Sequence, residues 1–139
     1  MKQISQQGQR PATLTILLVI AALMGAAGIM LAAAAAHAVP GAGLDAAASM
    51  LLFHAAAALG AAALAHQGLL RRPLGLAVIA AWVIGAALFS GDIALRAFAG
   101  HRLFPMAAPT GGIMLILGWL VLAVAALTAP WRARSGDCT

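Results

Sequence analysis

Four apolar runs fill most of the chain between Thr13 and Pro130, and only one acid, Asp92, falls inside any of them. The runs cover residues 13–38, 46–70, 74–99 and 110–130. A helix needs about 20 consecutive apolar residues to cross the hydrocarbon core of a bilayer, and each run meets that length. The runs are Ala-rich and do not alternate in polarity, so they read as helices and not as strands. With 64% hydrophobic and 8% charged residues, the chain lies far from a soluble domain, which is about half apolar and a quarter charged. Its solvent must be lipid. The predicted fold is all-α, an integral membrane four-helix bundle over residues 13–131 with short tails at 1–12 and 132–139. With 139 residues, no soluble domain is expected beside four spans.

Ala36-His37-Ala38 closes the first run in the form of a signal-peptide cleavage site. A signal peptide's apolar core is about 7–15 residues, shorter than this run, so the segment is read as a retained span. The single Cys138 permits neither an internal disulfide nor a Cys-based metal cage. The net charge of +5 is carried almost wholly near the ends of the apolar runs. That placement fits orientation and attraction to anionic lipid, not nucleic-acid binding, which needs a basic patch on a polar surface.

Positive residues set orientation. Lys2, Arg10, Arg71, Arg72, Arg132 and Arg134 fall on one side of a four-span topology, against Arg96 and Arg102 on the other. Both termini are therefore expected in the cytoplasm, in a plasma (inner) membrane. Trp131-Arg132-Ala133-Arg134 has the form of an interfacial anchor.

Lipid tails are as apolar as leucine, so helices in a bilayer associate through close approach over small residues. Gly25, Gly28 and Ala32 offer such a face on the first run. Ala58, Ala61 and Ala65 do so beside His54 on the second, and Ala81 and Gly85 beneath Asp92 and Arg96 on the third.

The residues able to carry chemistry are few. Asp92 and Arg96 are spaced i, i+4 and can pair on one helix face. They read either as a structural ion pair that finishes the third helix or as a proton- or ion-binding acid; the structural reading is favoured. His37, His54, Ser90 and Asp92 all approach from one side of the membrane, and with Arg96 and Thr110 they form a candidate polar layer. Thr110, before Gly111-Gly112, is the expected N-cap of the fourth helix. Two histidines on different helices could also ligate a haem or a metal, which would need equal depth and a cavity. His66 is expected near headgroups or a helix end, and His101 in a loop. Paired carboxylates, a nucleophile with its base and a phosphate loop are all missing from the sequence, so no catalytic, cofactor-binding or metal site is assigned and no enzyme is expected.

Several short motifs carry a resemblance. They are Ala36-His37-Ala38, Phe53-His54-Ala55, Leu88-Phe89-Ser90-Gly91, Gly100-His101-Arg102-Leu103-Phe104, Pro109-Thr110-Gly111-Gly112 and Gly118-Trp119-Leu120. In this order the chain resembles the small four-helix inner-membrane family of bacterial YgdD and animal transmembrane protein 256, domain of unknown function 423. It departs from the family where a Gly-rich run before the histidine is replaced by Ala32 to Ala36, and where the following turn is shorter. The resemblance implies that the first helix is a true span, and it carries over no catalytic residue.

The expected role is a structural or accessory membrane component, whose partners are the lipid bilayer and either a second copy or another membrane protein, with no nucleic acid. The alternatives are a small transporter or proton/ion conduit using Asp92 with His37 and His54, and, further behind, a haem-binding electron-transfer subunit.

Overall fold

The computed structural model describes residues 12–128, and within them every regular element is a helix. The four are α1 (Ala12–His37), α2 (Leu44–His66), α3 (Arg72–Ala99) and α4 (Ala107–Leu127). All four are long and apolar enough to cross a membrane, which makes this a multi-pass membrane protein. The anchor at Trp131-Arg134, the tails and Cys138 lie outside the described residues.

The helix ends follow local chemistry. After α1, Gly41 and Gly43 take φ of 78° and 77° to turn the chain into α2. At the end of α2, Gly68 has φ 75°, and the Leu69 and Gly68 amides donate to the Leu64 and Ala65 carbonyls. This is the paired reversal in which a left-handed residue satisfies the last free carbonyls of a helix. It stops α2 short of the apolar Leu69 and Leu70. Pro73 sits in the first turn of α3, where its missing N–H costs nothing.

The fourth helix corrects an expectation. It starts at Ala107, with Met106 as its N-cap at φ 71°, and the Thr110 amide already donates to the Met106 carbonyl at 2.9 Å. Thr110 is therefore an exposed residue inside the first turn, not the cap. Pro109 made the stretch look like loop, but a proline among the first helical residues removes only an N–H that has no partner there. Thr110→Ala should shift the unfolding free energy in detergent by no more than about 0.5 kcal/mol. A loss of about 1 kcal/mol, the usual cost of deleting an N-cap, would restore the capping role.

Each helix packs on its chain neighbour: α1 on α2, α2 on α3 and α3 on α4, with a slight touch of α1 on α3. α1 and α4 do not pack on each other. Within one apolar 18-residue stretch of each helix, the central pair α2 and α3 has 44% and 39% of residues buried, against 17% and 22% for α1 and α4. The buried positions form helical stripes, as on α1 at Ala21, Met24, Gly28 and Ala35, and on α4 at Gly111, Leu115, Gly118 and Ala125. The outward faces carry large apolar side chains, among them Leu23 and Met30 on α1 and Ile116 and Leu120 on α4. With lipid as solvent, that inside-outside pattern is stable without a polar exterior.

Small residues set the closest approaches. A Cβ on Gly28 would lie 2.8 Å from Leu52 Cγ, so α1 and α2 meet there. A Cβ on Gly25 would meet nothing within 4 Å, so the α1 face runs through Gly28 and not Gly25. Between α3 and α4 the contact is backbone on backbone. A Cβ on Gly111 would lie 2.6 Å from both the Gly85 carbonyl oxygen and the Phe89 nitrogen.

Candidate functional site

Among the described residues, the polar side chains buried inside the bundle are His54, Ser90 and Asp92. They fall at two depths. Ser90 Oγ donates to the Ala47 carbonyl at 2.8 Å, which fixes α3 against α2 near the end of the bundle that carries the α1–α2 and α3–α4 loops. His54 is seven residues further along α2, about 10 Å deeper at 1.5 Å per residue. Asp92 is two residues beyond Ser90 in the opposite direction.

Asp92 closes the loop end. Its Oδ2 pairs with Arg96 Nη2 at 2.9 Å, and its Oδ1 accepts the Leu103 amide at 2.9 Å. One carboxylate oxygen thus holds the last turn of α3, and the other holds the loop leading to α4. Arg96 reaches outward, with its side chain 42% exposed against 4% for Asp92. The cation sits toward the interface while the acid stays inside, as a snorkelling arginine would. The expected i, i+4 pair is present, and the loop amide is a partner that helical spacing could not reveal.

His54 lies at the centre of an aromatic cluster. Its Nδ1 is 2.8 Å from the Met50 carbonyl, one turn back on α2, and its Nε2 is 3.2 Å from Trp119 Nε1 on α4. A carbonyl only accepts and an indole N–H only donates. The ring is therefore the neutral tautomer with the proton on Nδ1, donating to Met50 and accepting from Trp119. Trp82 of α3 completes the group, with ring centroids 6.0 Å from His54 and 4.6 Å from Trp119. Trp82 is fully buried, and its Nε1 has no hydrogen-bond partner. A Cβ on Gly118 would lie 2.5 Å from that nitrogen, so the indole rests directly on the α4 backbone. Trp119, although 48% exposed, reaches in front of α3 to bridge α4 to α2.

The six candidate residues do not gather into one layer. Ser90, Asp92 and Arg96 lie toward the loop end, His54 is deeper among tryptophans, and His37 and Thr110 are exposed. Both nitrogens of His54 are engaged, and ligation through Nε2 would require Trp119 to leave. Among the described residues, no group of three or more His, Cys, Asp or Glu could hold a metal ion. The residues that complete the site, Trp82 and Trp119, carried a usable signal. A tryptophan inside an apolar run has an N–H that seeks a partner, and His54 is the one histidine set well inside a span.

The geometry just described falls largely within one matched region. The family model described as "Protein of unknown function (DUF423)" matches residues 24–112. The chain belongs to the DUF423 family. The match runs from the last turns of α1 to the start of α4, taking in His37, His54, the whole of α3 and the Gly85–Gly111 contact. The resemblance drawn from short motifs thus rests on a shown membership. No curated protein and no solved structure matches the chain.

Proposed function

We propose that this member of the DUF423 family is a non-enzymatic structural or accessory component of a plasma (inner) membrane, with both termini in the cytoplasm. One observation carries the reading: His54, Ser90 and Asp92 are each spent on holding the helices or their loop. Ser90 joins α3 to α2, His54 joins α2 to α4, and Asp92 joins α3 to the loop before α4. An intramembrane ionisable group is by default a functional candidate, but these have structural partners at short distance. The apolar outer faces of α1 and α4 are available to a second copy or to another membrane protein. The cytoplasmic termini rest on the six-to-two distribution of Lys and Arg.

A photo-crosslinking side chain at Leu23, on the outer face of α1, tests the role in native membranes. A discrete adduct of fixed mass is expected, and labelling of lipid alone would remove the support for an accessory role. The conduit alternative predicts a proton or cation flux in vesicles containing the purified protein that Asp92→Asn abolishes. The accessory reading expects the same leak as empty vesicles for both proteins.

A further inference from the structure

At the end of the bundle opposite the α1–α2 and α3–α4 loops, a groove of about 470 Å³ opens between α1 and α2. Its walls are Leu18, Leu59, Ala62 and Ala63, and its rim is His66 and Gln67. The volume is within the range of small-molecule sites, about 300–1,000 Å³, but the groove is open on the lipid-facing side of the bundle. We propose that it seats an anionic glycerophospholipid, with one acyl chain along the apolar walls and the phosphate at the rim.

Three features choose this occupant. The first is the division of the groove into apolar walls and a polar rim at the helix end, the division a lipid itself has between tail and headgroup. The second is the rim chemistry. The His66 imidazole supplies an N–H and Gln67 an NH₂, both donors suited to phosphate oxygens. The third is charge. The turn that follows the rim carries Arg71, and Arg72 opens α3, while both acids of the described residues, Asp45 and Asp92, lie at the opposite end of the bundle. An anionic headgroup there has donors at the rim and the exposed Arg71 in the next turn, and no described carboxylate at that end. The inference is independent of the accessory role, since it concerns a different face from the α1 site chosen for crosslinking.

The test uses the full chain in vesicles of mixed phosphatidylglycerol and phosphatidylcholine, followed by gentle extraction and mass spectrometry of the retained lipid. Phosphatidylglycerol should be enriched about fivefold over its bulk ratio, the scale of one basic residue's attraction to anionic lipid. Ala63→Phe fills the groove from an exposed position and should abolish retention with helix content unchanged. His66→Leu combined with Gln67→Leu should leave a retained lipid but return its ratio to that of the bulk. Retention of phosphatidylglycerol that is unchanged in both variants would overturn the proposal and leave diffuse attraction to the arginines as its cause. A crosslink from Ala63 to a second copy in the same vesicles would also overturn it, because the groove would then be an interface between chains.

Discussion

Gly111→Ala should lower the unfolding free energy by about 3 kcal/mol, the upper part of the usual range for overpacking, while Gly112→Ala stays within about 0.5 kcal/mol. The two glycines are neighbours in sequence and alike in helix propensity, so the comparison isolates packing. A Cβ on Gly111 points at backbone atoms of α3, the Gly85 oxygen and the Phe89 nitrogen, both at 2.6 Å. Backbone cannot swing aside as a side-chain tip can, so α4 must move off α3. A Cβ on Gly112 meets only Phe89 Cδ2 at 3.9 Å, an ordinary contact. Separation of α3 from α4 also pulls Gly118 from beneath Trp82 and Trp119 from His54. Unfolding by denaturant in mixed micelles measures both variants, and equal effects would contradict the backbone-on-backbone packing.

The second large effect concerns charge, and it is asymmetric. Arg96→Gln should cost about 2–3 kcal/mol, somewhat below the 3–5 kcal/mol seen when one member of a fully buried pair is removed. The discount reflects the half-exposed guanidinium, which is screened even in the native protein. Asp92→Asn should cost less, because the asparagine oxygen can still accept the Leu103 amide and the released Arg96 can turn to the headgroups. The variant carrying both changes should be more stable than Arg96→Gln alone, since no buried carboxylate is left unpaired. A double-mutant cycle on stability reads the coupling directly. Simple additivity of the two losses would mean that Asp92 and Arg96 act separately, and Asp92 would then gain standing as a proton-carrying acid.

The spans were legible because length and composition alone require lipid as solvent, and no tertiary contact is needed to see it. The Asp92–Arg96 pair followed from i, i+4 spacing. The single polar layer did not survive, because approach from one side of the membrane fixes direction and not depth. Ser90 is tied to Ala47, and His54 lies two turns further down the same helix. Thr110 was misread because Pro109 has the same appearance in a loop and in a first turn. The role of Gly28 over Gly25 depends on which way α1 is rotated, and in a run rich in alanine many rotations present a small face. The bond between His54 and Trp119 spans 65 positions, and no local pattern announces such a contact.

Because each helix packs mainly on the one before it, every interface can be completed as its helix leaves the ribosome and enters the membrane. Local contacts of this kind favour fast folding, and no apolar face waits long for a partner that has not yet been made. The His54–Trp119 bond is the exception. It crosses in front of α3 and needs the last helix, so it forms only when the chain is fully threaded. Before that moment the His54 ring lacks a donor at Nε2 in a dry interior. A chain truncated before Trp119 would therefore leave His54 Nε2 without its donor inside a span, where no water replaces it.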